Sequence, residues 1–284
     1  VGVDRIKKWA AMLGLGVKSG IDLPNEVQGL VPSTEWKRQR FHEKWYAGET
    51  ISVAIGQGAV AVTPVSMAVY MATLANGGTR VTPYLLKAVD DGTGWRPVPP
   101  PSPQSKVNID PGKLQAIRDG LWMVVNAAGT GRNAQLKGYD VAGKTGTAQV
   151  ISLEGAKAAK GRTTRDLRDH GWFAFFAPRD KPTIAGVVFA EHGEHGSNAA
   201  IIVKHALETF FAKQEGRPLP PLTIKGVDGT SAPSENPNAA PPTLLPPAAP
   251  RVADNQGASG SPVPPRTAGS SRSGTPAPDE PRVQ

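Results

Sequence analysis

A cation, two hydroxyls and a glycine stand within four consecutive residues, Lys144-Thr145-Gly146-Thr147. Such a set can hold an anion. Lys144 supplies a fixed positive charge, Thr145 and Thr147 offer hydroxyl donors, and Gly146, lacking a Cβ, lets another backbone come close. If the segment is a strand at a sheet edge, a peptide ending in a carboxylate can lie beside it as an added strand. Its main chain would be hydrogen-bonded, and its carboxylate held by Lys144, Thr145 and Thr147. The amide of Thr147 can then point at an oxygen that gains negative charge during acyl transfer. A second reading competes. Gly138-Tyr-Asp-Val-Ala-Gly143-Lys144-Thr145 satisfies G-x-x-x-x-G-K-[ST], which would make the anion a nucleotide phosphate.

The elements that must position these residues separate the two. A phosphate loop follows a buried strand and opens a helix, so that backbone amides face the phosphates. Upstream, Arg132-Asn-Ala-Gln-Leu-Lys-Gly138 is polar, and downstream Thr147 to Ile151 has strand composition. No apolar run ending in Asp is placed to hold magnesium; Val89-Asp90-Asp91 is the nearest. The spacing predicts a strand over 141–151, with further strands at 171–177 and 183–190. Pro178-Arg-Asp-Lys-Pro182 joins the last two as a tight turn, so they form an antiparallel hairpin.

Helical spacing predicts a first helix over 4–13, with Ile6, Trp9, Ala10 and Leu13 on one face and Asp4 as cap or first-turn acid. Thr63-Pro64 opens a second, with Met67, Met71 and Leu74 apolar. Asp110-Pro111 opens a third that runs to Ala128, with Leu114, Ile117, Leu121, Val124 and Val125 on one side. A last helix covers 199–213, its buried face Ile202, Ala206, Thr209 and Phe210. Residues 17–50 read as an irregular connection that Trp36, Phe41, Trp45 and Tyr46 anchor to the body. Ile51 to Gly58 reads as a short apolar piece, and 79–108 as strand fragments around the loop Pro97 to Pro103.

Composition narrows the class. The 284 residues carry 32 Gly and 28 Pro, roughly a fifth of the chain against about 12% in ordinary domains. More than half of the prolines fall beyond residue 217, in a stretch without aromatics. Such a stretch buries too little apolar surface to offset its ordering entropy, which predicts a domain over 1–217 and a disordered tail over 218–284. The net charge of +8 comes from scattered basic residues without a clustered stripe, so nucleic acid is not an expected partner. The absence of cysteine excludes disulfides, thiolate catalysis and Cys-ligated metal. No apolar run approaches 18 residues. The chain opens on Val1 and reads directly into a helix, the look of a fragment whose membrane anchor would lie elsewhere.

The ordered motifs carry a family resemblance. They are Gly20-Ile-Asp-Leu-Pro24 with Glu26 and Gly29, Trp45-Tyr-Ala-Gly-Glu-Thr50, Ile55-Gly-Gln-Gly58, Thr63-Pro64 and Asn76-Gly-Gly78. Gly129-Thr130-Gly131, Lys144-Thr-Gly-Thr-Ala-Gln149 and Asp169-His-Gly-Trp-Phe173 ahead of Ala177-Pro178 follow. Over residues 1–213 the chain resembles the C-terminal part of the transpeptidase domain of class B penicillin-binding proteins of the elongation type. The resemblance implies an α+β fold of the penicillin-binding protein and β-lactamase kind, a five-stranded antiparallel sheet packed with helices, of which this chain supplies the last three strands. Lacking two strands, it would leave an apolar sheet edge exposed and fold poorly alone.

The resemblance also implies a serine D,D-transpeptidase that cross-links peptidoglycan stem peptides and is acylated by β-lactams, with no cofactor and no metal. Lys144 would be catalytic, biasing proton transfer around the serines, and Thr145, Gly146 and Thr147 would bind substrate. The protein would sit in the cytoplasmic membrane with this domain outside, beside a membrane glycosyltransferase. The family's Ser-x-x-Lys occurs nowhere here, and Ser234-Glu-Asn236 matches Ser-x-Asn only in the tail. The nucleophile is therefore expected upstream of Val1, and the chain alone is expected to be inactive. A rival reading is a non-catalytic scaffold with the tail as docking segment. Lys18-Ser19-Gly20 imitates the Lys-Thr-Gly element but reads as structural. His170 reads as a structural histidine at a strand entrance, and His192 and His195 with Glu191 and Glu194 as a solvated loop, not a metal site.

Overall fold

The computed structural model describes residues 1–150 and 168–222. Helices α1 (Val3–Met12), α2 (Thr34–Phe41), α3 (Ala47–Ala54) and α4 (Pro64–Ala75) come first. Short strands β1 (Thr79–Arg80), β2 (Ala88–Asp90), β3 (Trp95–Pro97) and β4 (Ser105–Lys106) precede α5 (Pro111–Asn126). Then come β5 (Ala142–Ala148), β6 (His170–Ala177), β7 (Ile184–Ala190) and α6 (Gly196–Gln214).

The main sheet has the order β5-β6-β7, antiparallel throughout. Its middle strand explains itself: Gly-Trp-Phe-Ala-Phe-Phe-Ala is apolar at every position, as a strand covered on both faces must be. Alternation sends Phe173, Phe175 and Ala177 to one face, where they join Val125, Val141, Val203, Leu207 and Phe211. Ala174 and Phe176 turn to the other face and meet Ala142, Met71 and Ala75. Helix α6 thus backs one face, α4 covers the other, and α5 lies along the β5 side. The observed architecture is the expected α+β arrangement of helices on an antiparallel sheet.

Helix starts follow the local chemistry. Thr63 and Asp110 accept from the backbone N–H of Ser66 and Lys113, and a proline follows each cap. The 178–183 connection closes the β6–β7 hairpin as expected, and β1 to β4 make two small two-stranded sheets.

Several expectations are corrected. Residues 17–50 are not irregular throughout, because α2 and most of the first turn of α3 fall in them. The apolar piece 51–58 is the second half of α3 and the turn after it. The buried face of the last helix is turned by one position: Val203 and Leu207 are fully buried while Ile202 is 51% exposed. Sheet packing sets that phase, since Val203 and Leu207 lie on the phenylalanines of β6. Trp9 and Ile117, placed on the apolar faces of their helices, are 47% and 42% exposed. Asp4 is the first-turn acid of α1, the second of the two places expected for it, while Gly2 holds the N-cap position; its carboxylate accepts from Thr34 N and Thr34 Oγ1 at 2.9 and 2.8 Å, tying α1 to α2.

The phosphate-loop reading fails here. Lys144 and Thr145 are strand residues, and no helix begins at them, so no array of free N–H groups faces a phosphate. Among the described residues no helix is long and apolar enough to cross a membrane. Most of the tail and the Ser-x-Asn match at 234–236 lie outside the described residues.

Candidate functional site

Strand β5 carries the Lys-Thr-Gly-Thr element at the edge of the sheet. One side pairs with β6, Lys144 opposite Ala174, Thr145 opposite Phe173, Gly146 opposite Trp172 and Thr147 opposite Gly171. Among the described residues no strand pairs with the other side. Lys144 and Thr147 are exposed, Thr145 and Gly146 half-buried. An exposed edge with a cation and hydroxyls along it can take a carboxylate-ended peptide by strand addition.

What holds this edge in place lies behind it. Gly143 must be glycine, since a Cβ would come within 2.7 Å of the Phe173 ring. Gly196, at the start of α6, presses on the strand itself. A Cβ there would stand 2.5 Å from Trp172 O and 2.7 Å from both Gly146 N and Gly146 O. Helix α6 therefore meets the element at closest backbone approach. The ring of Trp172 packs beside it on Phe189, with centroids 4.7 Å apart.

Two side chains from elsewhere reach the element, and Lys144 folds back on it. Lys144 Nζ donates to its neighbour's carbonyl, Thr145 O, at 2.8 Å and stands 3.5 Å from Thr145 Oγ1. The hydroxyls of Thr130 and Thr145 are 2.6 Å apart. Gln57 Nε2 donates to Thr147 O at 3.1 Å, across 90 residues of sequence. All four expected site residues thus stand together on one strand. Gln57 and Thr130, which the sequence marked only as parts of motifs, join them. Each is a polar residue between two glycines, and that shared Gly-polar-Gly form was the available signal. Gly56 and Gly58 have φ of 77° and 70°, and turn Gln57 off the end of α3 toward β5.

The family model for the penicillin binding protein transpeptidase domain matches residues 1–208. The chain belongs to that family. A peptidoglycan D,D-transpeptidase MrdA of Acinetobacter baumannii is 36% identical over 248 residues, covering 84% of this chain and 37% of the relative. That of Haemophilus influenzae is 38% identical over 216 residues, 74% of this chain and 33% of the relative. Among solved structures, Pseudomonas aeruginosa PBP2 in complex with WCK 5153 superposes with a TM-score of 0.63 at 36% identity, covering 76% of this chain and 44% of that one. The complex of PBP2 with MreC from Helicobacter pylori gives 0.60 at 30% identity, covering 75% and 37%. The chain therefore spans about a third of the length of the curated relatives it matches.

The remaining sequence candidates fall away from β5's outer edge. His170 Nδ1 accepts from His192 N at 2.9 Å, and the two rings lie 4.9 Å apart, so this pair splices the β6 entrance to the loop after β7. Arg168 pairs with Glu194 at 3.1 Å in the same loop. Ser19 of Lys18-Ser19-Gly20 is buried and serves Glu26, whose carboxylate accepts from Ser19 N and Ser19 Oγ.

Proposed function

We propose that the protein carrying this chain is a peptidoglycan D,D-transpeptidase of cell-wall elongation, in which β5 binds the D-alanyl-D-alanine end of a stem peptide. The observation that carries this reading is the outer edge of β5, which pairs with no strand among the described residues, with Lys144, Thr145 and Thr147 along it. Family membership and the names of the relatives support it. Lys144 holds the terminal carboxylate by charge and Thr145 and Thr147 by hydrogen bonds; Gly146 admits the peptide backbone, and the Thr147 N–H stabilises the oxyanion.

The chemistry is acyl transfer through a serine. The serine oxygen bonds to the penultimate D-alanyl carbonyl carbon, the terminal D-alanine leaves with a proton on its nitrogen, and an acceptor amine then displaces the serine to form the cross-link. Lys144 biases the proton passing between the serine groups. No Ser-x-x-Lys occurs in these 284 residues, so another part of the protein contributes that serine. A β-lactam acylates it in the same way. The domain works on the outer side of the cytoplasmic membrane, with a membrane glycosyltransferase of the elongation machinery as partner. The naming of MreC in a relative's complex supports a partner of that machinery.

Labelling by a fluorescent penicillin tests the reading. The natural gene product that contains this chain should be labelled covalently, and Lys144→Ala should slow labelling about 100-fold, the scale of losing one charged anchor. The 284 residues alone should take no label. If the natural product is not labelled at all, the scaffold reading replaces this one.

A further inference from the structure

We propose that Thr130 is a positioning residue that fixes which way the Thr145 proton points, and so makes Thr145 a donor to the substrate carboxylate. The inference rests on the carboxylate-binding role of β5 proposed above. A threonine hydroxyl has one proton and two lone pairs. To donate to an anion, Thr145 must receive every other hydrogen bond it makes. Lys144, an ammonium, can only donate, and its Nζ lies 3.5 Å from Thr145 Oγ1. Thr130 Oγ1 lies 2.6 Å from the same oxygen, and either hydroxyl of that pair could supply the proton. With Thr130 as donor, both lone pairs of Thr145 have donors beside them and its single proton is turned outward. With Thr130 as acceptor, that proton is consumed inside the protein.

The loop bearing Thr130 is built to hold this distance. Gly131 N donates to Val124 O at 3.0 Å, and Ala134 N to Gly131 O at 2.9 Å. A Cβ on Gly131 would come within 2.9 Å of both the Phe173 ring and Val124 Cγ1. Phe173 is fully buried and lies opposite Thr145 in the strand register. The same ring thus backs the Thr130 loop and faces the strand position that Thr130 serves. Bound carboxylate favours the arrangement in which Thr130 donates, because with its proton turned inward Thr145 would present a lone pair to the anion and have no proton to give it.

The test measures the second-order rate of penicillin acylation in the natural gene product for Thr130→Val, Thr130→Ser, Thr145→Val and the double variant Thr130→Val with Thr145→Val. Valine keeps the branched shape and removes only the hydroxyl. Thr130→Val should slow acylation about tenfold, the scale of one hydrogen bond to an ionic group, and Thr130→Ser should stay close to wild type. In the Thr145→Val background, Thr130→Val should cost nothing further. A merely structural Thr130 would slow both backgrounds equally and lower the melting temperature, and that result overturns the inference. So does a Thr130→Val protein that labels as fast as wild type. A wild-type protein that takes no penicillin removes the transpeptidase reading, and this inference with it.

Discussion

Behind Lys144 the chain is held by rings and close-packed backbone; on the flank formed by residues 16–30 and 79–106 it is held by carboxylates. Phe173, Phe176, Val203 and Leu207 are fully buried between β6, α4 and α6. On the flank, Leu85 is 65% and Trp95 75% exposed. There Asp22 accepts from Leu85 N at 2.8 Å and from Leu86 N at 2.8 Å. Glu26 binds Ser19 and Gly20, and Gln104 reaches Ser19 O. The difference has a functional sense. If β5 meets a substrate edge-on, as proposed, it needs a backing that does not yield, and packing density gives that rigidity more surely than exposed hydrogen bonds do.

The largest effect should come from emptying the backing. Phe173→Ala removes a fully buried ring that touches both Gly131 and Gly143, and should destabilise the protein by about 3–5 kcal/mol in urea unfolding of the natural gene product. A cost below about 1 kcal/mol would mean that the site is not held by this core. Gly196→Ala should act more locally. Its methyl would be forced toward Gly146 N and O, which displaces the element or α6 at an overpacking cost of about 1–3 kcal/mol. Penicillin acylation should fall further than that loss of stability accounts for, because the displaced atoms belong to the strand proposed to bind the carboxylate. Acylation that merely follows the folded fraction would show that α6 supports the fold and not the site.

How legible each part was follows from the same contrast. Strand β6 declared itself by seven consecutive apolar residues, α4 and α5 by Thr63-Pro64 and Asp110-Pro111, and the site by its Lys-Thr-Gly-Thr string. Helix α2 hid because Thr-Glu-Trp-Lys-Arg-Gln-Arg-Phe has almost no apolar period; Ser33 caps it, and Lys37 anchors it through Glu49 at 2.6 Å. The phase of α6 was misjudged because Ile202 and Val203 are equally apolar, and only the sheet beneath decides which one turns inward. Thr130 and Gln57 escaped as site residues because their partners lie 15 and 90 positions away. Single polar residues carry no periodicity to announce such contacts.

The smallest effect should appear on the flank, and in acid. Hydrogen bonds from the Leu86 and Leu85 amides hold the Asp22 carboxyl below its usual range. Burial pushes Glu26 up, but Ser19's hydroxyl and amide outweigh it and the net shift is again downward. A carboxyl depressed in the folded state contributes stability above its unfolded pKa, about 3.9 for Asp, and loses it as pH falls through the folded value. Lowering the pH below about 4 should therefore loosen the flank while the β5-β6-β7 backing stays closed, because its buried core is apolar and its carboxylates, Asp180 and Glu194, lie only in its turns and loops. Hydrogen exchange, corrected for the intrinsic rate, should show protection at Leu85 and Leu86 falling first. In Asp22→Asn the same amides should be weakly protected already at neutral pH, because a neutral amide oxygen is the poorer acceptor. Equal loss of protection in the flank and in β6 over that acid range would mean that the two regions open as one unit, and that the contrast between them is one of composition only.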